Sequence, residues 1–309
     1  MRVLFWHHAP LGNGGSERWI EQTGRFLQER GHEVAVRCVP LVGGRGREVF
    51  AEEMQKPDVT YLTSPLDRML MVPHSPVVAG LHTYMTFRVR RSFVRLLRER
   101  KAMPLVSTLA ARLTSRGVMG SLDALHMHNP FYAALSCRRR FLIPDFADER
   151  LFYPGEKAER FTVLYASRKS WDKGYDVWRS VKRLLSPVGF DMQETNGGTP
   201  EQVAEQMRRA HVVVVPSRLD SFGLVQIEAL ASGTPVVTSA IPEHLALGLD
   251  VHYESSASEF VVGILSEHNR WARGVSDPLR EREKAKPYFL SLVGPRLEKM
   301  LSVVATADS

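Results

Sequence analysis

Residues 215–237 read Val-Pro-Ser-Arg-Leu-Asp-Ser-Phe-Gly-Leu-Val-Gln-Ile-Glu-Ala-Leu-Ala-Ser-Gly-Thr-Pro-Val-Val, and this stretch decides the fold. The apolar run Val212–Val215 that leads into it predicts a buried strand. Ser221 predicts the N-cap of a helix over about 222–232, and Gly233 is suited to end that helix. Because a second apolar strand follows, the pattern is strand, helix, strand, which is the repeating unit of a parallel α/β sheet.

Two acidic residues flank the start of the predicted helix. Asp220 lies just before it, and Glu228 lies inside it, eight positions further on. Between them, residues 222–224 present backbone N–H groups at a helix N-terminus, which favours a bound anion, and Gly223 lets a phosphate approach the backbone closely. Acceptors on both sides of a phosphate site suit a ligand with hydroxyl groups on both sides of a diphosphate. A nucleotide sugar is such a ligand.

The stretch resembles the retaining glycosyltransferases of family 4, which have the GT-B fold. That family has Pro-Ser, two or three residues, Glu-x-Phe-Gly, and then Glu-Ala-x-Ala-x-Gly-Thr-Pro-Val-Val. The resemblance implies that Asp220 orients the donor sugar, although Asp replaces the family's Glu and shortens the reach by one methylene. It also implies that Glu228 holds the nucleotide ribose and that the donor diphosphate is bound by Ser221, Phe222, Gly223 and Leu224.

The length of 309 residues is sufficient for two domains. Strand, glycine-rich loop, helix and strand follow one another at the N-terminus, and a second series begins at the strand Phe161–Ala166. With the resemblance, this pattern implies an α/β protein of the GT-B fold, with two Rossmann-like doubly wound domains facing a central cleft. We expect an acceptor domain over residues 1–150 and a donor domain over residues 151–285. Residues 286–309 are expected to form a helical tail that packs back on the acceptor domain.

Two basic residues follow the first strand of the second domain. Arg168 and Lys173 keep the spacing of the family's Gly-Arg … Lys-Gly pair, with Ser167 in place of the glycine. The resemblance implies that both cations bind the donor diphosphate. Cations there stabilise the charge that develops on the departing diphosphate, and they can replace a metal ion. We therefore expect no metal and no cofactor besides the donor; surface ion pairs are the alternative for both residues.

Gly15 and His82 are the candidates in the first domain. Gly15 precedes the first helix, with Glu17 just inside it, and a glycine there lets the backbone approach a ligand or simply form a tight turn. His82 closes the apolar run Val77–Leu81, at the edge where open α/β sheets bind ligands. The resemblance implies that Gly15 faces the donor and that His82 lies close to the transferred sugar, whereas a structural histidine is the alternative.

The net charge of +7 is partly concentrated in one segment. Phenylalanine, leucine and valine alternate at roughly helical spacing with its basic residues, and the pattern fits an acidic membrane surface, a nucleic acid or a solvated helix face. The two cysteines and the lack of a signal peptide or a membrane-spanning run predict a cytoplasmic protein, with peripheral membrane contact left open. The basic residues are Arg88, Arg90, Arg91, Arg95, Arg98, Arg100 and Lys101.

The function that we expect is a metal-independent, retaining transfer of a hexose from a nucleoside-diphosphate sugar, such as a UDP-sugar or a GDP-sugar. The acceptor is a hydroxyl of a glycan, a lipid-linked glycan or a nucleic acid. A nucleotide-sugar epimerase and a catalytically impaired nucleotide-sugar binding protein on the same fold stay open. A dinucleotide-dependent oxidoreductase is disfavoured, because residues 12–15 read Gly-Asn-Gly-Gly instead of Gly-x-Gly-x-x-Gly.

Overall fold

The chain forms two compact units in a computed structural model. The N-terminal unit contains residues 1–144 and 294–309, and the C-terminal unit contains Asp145–Val293. These limits differ by a few residues from those predicted at 150 and 285. The residues that the structure describes are 1–7, 14–38, 54–70, 75–82, 117–132, 137–195 and 198–307.

The N-terminal unit is built on a six-stranded parallel sheet in the order β2-β1-β3-β4-β5-β6. The chain leaves β1 towards one edge and returns to β3 on the other side, which creates the switch point typical of ligand-binding α/β sheets. Helix α1 (Gly15–Glu29) joins the first two strands. The strands are β1 (Arg2–His7), β2 (Glu33–Cys38), β3 (Val59–Leu62), β4 (Val77–Gly80), β5 (Ala124–Met127) and β6 (Arg140–Leu142).

The C-terminal unit has a five-stranded parallel sheet in the order β11-β10-β9-β7-β8. Its strands are β7 (Thr162–Tyr165), β8 (Asp191–Glu194), β9 (Val212–Val215), β10 (Val236–Ser239) and β11 (His252–Glu254). The helices that follow α1 among the described residues are α2 (Tyr175–Leu185), α3 (Pro200–Arg209), α4 (Leu224–Ala231), α5 (Pro242–Leu245), α6 (Ala257–Ala272), α7 (Pro278–Ala285) and α8 (Leu290–Ala305).

Strand β9 explains why the C-terminal sheet forms around the opening motif. All four of its valines are fully buried, as expected for a strand covered on both faces of a parallel sheet. Each buried valine contributes about 1.5–3 kcal/mol relative to an exposed one. Helix α3, which precedes this strand, begins at a capping box in which Thr199 and Gln202 exchange side-chain and backbone hydrogen bonds. The central strand and its flanking helix are therefore specified locally.

Two details of the predicted helices are wrong. The N-cap of α4 is Gly223, not Ser221, and no side-chain hydrogen bond caps the helix. Gly223 has a φ of 116°, a left-handed conformation that glycine adopts without a steric penalty. The sequence predicts one or two terminal helices over 278–304, interrupted by Pro287 and Pro295, but Pro295 lies inside α8. In contrast, the sequence predicts a helix over Tyr175–Leu185, and α2 has these ends.

The C-terminal segment of the chain is bound to the N-terminal unit by polar contacts. Arg30 Nε and His32 Nε2 lie 2.6 Å and 2.8 Å from the two carboxylate oxygens of Glu298. Arg296 donates to the carbonyl oxygen of Leu142 at 3.1 Å. No helix in the described parts of the chain is long and apolar enough to cross a bilayer. The basic segment 88–101 lies outside the described residues.

Candidate functional site

Three neighbouring strands of the C-terminal sheet bring the predicted donor residues to one edge. Residues 166–174 follow β7 and residues 216–223 follow β9, its direct neighbour. Helix α5 follows β10, on the other side of β9. Because all three strands are parallel, the segments that follow them leave from the same carboxyl edge, which is where α/β sheets bind ligands.

The first two of these segments are joined by backbone hydrogen bonds. The amides of Arg218 and Leu219 donate to the carbonyl oxygen of Asp172 at 2.9 Å and 3.1 Å. At Gly174, which has a φ of 67°, an added Cβ would overlap the carbonyl oxygen of Pro216. The close approach of the two loops therefore depends on a glycine that has no side chain.

Lys173 and Asp220 form an ion pair at this edge. Lys173 Nζ lies 2.9 Å from Asp220 Oδ2, and both side chains are mostly buried, with 20% and 13% of their surface exposed. Burial alone raises the pKa of Asp220, but the charge of Lys173 and the hydrogen bond from His244 outweigh it and hold that pKa well below its usual range. Asp220 is therefore ionised across the physiological pH range.

Arg168, the other predicted cation, has a different partner. Its guanidinium lies 3.4 Å from Asp172 Oδ2, and 71% of its side chain is exposed. Tyr165 donates its hydroxyl to the carbonyl oxygens of Arg168 and Lys173, which fixes the backbone of both residues. Arg168 therefore has an ordered backbone and a solvated, adjustable side chain. In Lys173, both the backbone carbonyl and the side-chain ammonium group are held by protein contacts.

The N-terminus of α4 lies three residues beyond Asp220 in the sequence. The amides of Leu224 and Val225 belong to the first turn, where no preceding turn supplies an acceptor. A Cβ added at Gly223 would lie 3.0 Å from Gln226 Nε2 and 3.1 Å from Leu247 Cδ1, so the helix entrance is closely packed on that side. The amide of Ser221 donates to Asp220 Oδ1 at 2.9 Å. The structure thus brings together a cation, a carboxylate and a helix N-terminus. That combination can bind an anionic group and neutralise charge on it.

Phe222 and Glu228 are more deeply placed than the other predicted donor residues. Phe222 is 1% exposed and contacts the ring of Tyr288, with ring centroids 5.9 Å apart. Glu228 lies within α4 and is 2% exposed. Phe222 therefore packs under the loop as a buried side chain. The contact of Glu228 with a ribose stays a prediction.

Two further residues of this region were missed from the sequence. Asp145 is 6% exposed, and burial together with the charge of Asp220 raises its pKa to about 8. It belongs to the stretch Ile143-Pro144-Asp145, which lies at the boundary between the two units in the sequence. His244 is fully buried and contacts Asp220. No motif marks it, since it depends on the neighbouring order of β9 and β10.

Glu194 holds the other side of the 166–174 loop and gives a prediction about acid stability. Burial raises its pKa, but hydrogen bonds from Lys169, Trp178 and Lys182 outweigh it and lower the pKa to about 2. The ionised carboxylate therefore stabilises the fold above pH 4.5, and that contribution is lost as the pH falls from 4.5 to 2. We expect Glu194→Gln to cost about 1–2 kcal/mol at pH 7 and nothing at pH 2, measured by urea unfolding. An equal loss at both pH values would contradict this assignment.

Gly15 and Glu17 lie at the carboxyl end of β1 in the N-terminal unit. Helix α1 begins at Gly15, and Glu17 Oε1 lies 3.8 Å from Nε2 of the buried His7. Burial raises the pKa of Glu17, whereas the hydrogen bond and charge of His7 lower it, with a net decrease. The structure therefore places Gly15 at a helix start beside a buried acid–histidine pair; its contact with a donor stays a prediction.

His82 belongs to a hydrogen-bonded chain across three strands. His126 Nε2 donates to the carbonyl oxygen of Ile143 at 2.8 Å, so its Nδ1 accepts from the Tyr61 hydroxyl at 2.6 Å. The Tyr61 oxygen then accepts from His82 Nε2 at 2.9 Å. This arrangement puts the proton of His82 on Nε2 and makes Nδ1 the acceptor nitrogen.

Burial keeps both histidines of this chain neutral. It lowers the pKa of His126 to about 4, against a smaller opposing effect of the hydrogen bond to Ile143. Burial and the neighbouring His128, His126 and His7 lower the pKa of His82 well below its usual range. A neutral His82 can accept a hydrogen bond from a hydroxyl group, but it cannot stabilise a negative charge as an imidazolium would.

Comparison with known proteins finds a family match for about the last third of the chain. A family model described as "Family 4 Glycosyltransferase in conflict systems" matches residues 197–306. The D-inositol 3-phosphate glycosyltransferase of Streptomyces coelicolor is 56% identical over 61 residues, which are 20% of this chain and 11% of that enzyme. The enzyme of the same name from Segniliparus rotundus is 37% identical over 112 residues, 35% of this chain and 22% of that enzyme. The match therefore spans less than a quarter of either relative.

Solved structures match almost the whole chain. Sucrose-phosphate synthase from Thermosynechococcus elongatus has a TM-score of 0.77 at 15% identity, with 99% of this chain and 100% of that chain covered. Anabaena HepE in complex with UDP-glucose has a TM-score of 0.72 at 13% identity, with coverages of 98% and 99%. At this identity the match concerns the fold, which is GT-B with two parallel-sheet α/β domains. Residues 197–306 therefore match the family 4, or group 1, glycosyltransferases, and the chain as a whole has the fold of the GT-B glycosyltransferases.

Proposed function

We propose that the protein transfers a sugar from a nucleoside-diphosphate sugar to an acceptor hydroxyl, with retention of the anomeric configuration and without a metal ion. The bond between the anomeric carbon and the diphosphate oxygen breaks, and a bond to the acceptor oxygen forms on the same face. The leaving phosphate takes the acceptor proton. Lys173 and Arg168 neutralise the charge that develops on the diphosphate.

The observation that carries this proposal is the Lys173–Asp220 pair beside the N-terminus of α4. An ammonium group, the first-turn amides of Leu224 and Val225, and a glycine at the helix entrance supply complementary donors for a diphosphate. Glu228, further along the same helix, is the proposed ribose ligand. In the N-terminal unit, Gly15 and His82 are proposed to face the donor, with His82 accepting a hydrogen bond from a sugar hydroxyl.

The relatives support a nucleotide-sugar donor. HepE has been solved with UDP-glucose, and the relatives that match locally include D-inositol 3-phosphate glycosyltransferases. We therefore propose a UDP-sugar or a GDP-sugar as donor. The acceptor is a glycan, a lipid-linked glycan or a nucleic acid, and the basic segment 88–101 is the proposed contact for an anionic one. Contact of that segment with a membrane would place the protein at its cytoplasmic surface.

One feature favours a second candidate function. The carboxylate of Asp220 already binds protein donors at both oxygens, whereas the resemblance implies that it contacts the donor sugar. A catalytically impaired protein that binds the nucleotide sugar fits this observation. It would bind the donor and never release the nucleoside diphosphate from it. A nucleotide-sugar epimerase would instead convert the donor without an acceptor.

Thermal unfolding with UDP, GDP, ADP and dTDP and their common sugar conjugates tests the proposal. A ligand that binds only the folded protein raises the melting temperature by mass action, by an amount equivalent to about 2.7 kcal/mol at 100 times its Kd. We expect one nucleoside diphosphate and its sugar conjugate to stabilise the protein, equally with and without EDTA. Stabilisation by none of them would contradict a nucleotide-sugar function, and stabilisation that EDTA abolishes would contradict the metal-free mechanism.

A further inference from the structure

His244 is a fully buried polar residue that contacts Asp220 of the proposed site. It lies in α5, directly after β10, and its ring faces two sets of partners. Nδ1 lies 2.9 Å from Thr238 Oγ1 and 3.2 Å from the carbonyl oxygen of Ser239. Nε2 lies 3.5 Å from Asp220 Oδ2. The ring therefore joins the end of β10 to the loop that follows β9.

The partners of His244 indicate which of its nitrogens donate. The Thr238 hydroxyl lies 2.9 Å from Nδ1 and 3.3 Å from the carbonyl oxygen of Val215, and it can donate to either. The Ser239 carbonyl oxygen can only accept, and so can the ionised carboxylate of Asp220. Because the carboxylate of Asp220 can only accept, Nε2 is the nitrogen of His244 that donates to it. The hydrogen bond to Asp220 is then charge-assisted.

The carboxylate of Asp220 is oriented by three donors. Oδ2 receives Lys173 Nζ at 2.9 Å and His244 Nε2 at 3.5 Å, and Oδ1 receives the amide of Ser221 at 2.9 Å. The side chain is one methylene shorter than the glutamate that the family resemblance implies at this position. Its oxygens therefore face protein groups, and the group that it holds on the ligand side is the ammonium of Lys173.

We propose that His244 is a positioning residue: it anchors Asp220, and Asp220 holds the Lys173 ammonium in the place where the donor diphosphate binds. The inference rests on the proposed function and deepens it, because it gives Asp220 a role towards the diphosphate instead of the sugar. A lysine side chain has four rotatable bonds, and fixing it before the ligand arrives removes part of the entropic cost of binding. A neutral apolar residue at position 244 would leave the carboxylate free to turn and the lysine less ordered.

The first test reads the position of Lys173 without any ligand. Limited reductive methylation followed by mass spectrometry measures how accessible each lysine ammonium is. We expect His244→Leu to raise labelling of Lys173 severalfold, and to leave unchanged that of Lys169, which pairs with Glu194 instead. His244→Gln, whose amide can still donate to Asp220, should stay close to the native protein. Unchanged labelling of Lys173 in a folded His244→Leu protein would overturn the proposal.

The second test is a double-mutant cycle on nucleotide binding, measured by calorimetry with UDP and GDP and with UDP-glucose and GDP-mannose. We expect His244→Leu to weaken binding of the nucleoside diphosphate and of its sugar conjugate by the same factor, about 5- to 20-fold. In a Lys173→Ala background, we expect it to have no further effect on binding. A loss of affinity confined to the sugar conjugate would overturn the proposal and would indicate that Asp220 contacts the donor sugar. An equal loss in both backgrounds would overturn it as well.

The two tests separate this inference from the proposed function. Native protein that binds none of the nucleotides contradicts the proposed function, whereas the labelling result still decides whether His244 positions Lys173. If His244→Leu fails to fold, Thr238→Val replaces it, since this nearly isosteric change removes the Oγ1 partner of Nδ1 together with the contact of Oγ1 to the carbonyl oxygen of Val215. It should raise Lys173 labelling in the same direction, and no change in a folded Thr238→Val protein would contradict the proposal.

Discussion

Lys173→Ala is expected to lower donor turnover by about 100- to 1000-fold, the range found when one preorganised group that stabilises developing charge is removed. The structure holds this ammonium 2.9 Å from Asp220, with only a fifth of the side chain exposed. Its loss removes a cation from the leaving group and also leaves a mostly buried carboxylate without its main partner. The measurement is the release of nucleoside diphosphate from the nucleotide sugar that stabilises the protein in thermal unfolding.

Lys169→Ala is the matched control for this change. Lys169 lies in the same loop, carries the same charge, and pairs with Glu194 Oε2 at 2.7 Å on the other side of the loop. With 45% of its side chain exposed, we expect its removal to change turnover by less than about twofold. Equal losses in the two variants would mean that general positive charge, and not the placement of Lys173, supports the reaction.

Gly174→Ala is expected to have the largest effect on stability of any single methyl group added to the C-terminal unit. The residue has a φ of 67°, and the new Cβ would overlap the carbonyl oxygen of Pro216 and lie 3.2 Å from its Cβ. The strained backbone and the overlap together should cost about 3–5 kcal/mol. In thermal unfolding, the melting temperature should fall by about 10 °C or more.

Gly189→Ala separates the two causes of that loss. Gly189 has a φ of 76°, and no described atom lies within 4 Å of its added Cβ. It therefore carries the backbone penalty alone, which we expect to be about 1–2 kcal/mol. If both variants lose the same stability, the loop that carries Pro216 can shift without cost, and the tight contact between the two loops is not needed for the fold.

The sequence was sufficient for the elements of the C-terminal unit because their signals are local. Four consecutive valines before a polar loop predicted β9, and apolar spacing between Gly174 and Ser186 predicted α2 with the observed ends. The identity of the N-cap of α4 was missed. Ser221 is a good cap by residue type, but the choice between it and Gly223 depends on a backbone φ of 116° that the residue types alone do not specify.

Only those residues of the candidate site that belong to recognisable motifs were predicted from the sequence. Lys173 and Asp220 were assigned through spacing and resemblance, and the structure shows that they form a pair. His244 was not found, since no local pattern distinguishes it from a structural histidine. The same holds for Tyr61 and His126, whose hydrogen bonds orient His82 and whose strands are separated by β4.

By itself, the sequence determined that this protein is a two-part α/β chain and predicted an anion site at the start of α4, because periodicity, glycine placement and capping act over a few residues. Only the tertiary structure decided which side chains meet there. Sheet order places β7, β9 and β10 side by side, and this brings Lys173, Asp220 and His244 together across 47 and 24 positions of the chain. Contacts of that separation depend on strand order and on the close approach that Gly174 permits, and neither is encoded locally.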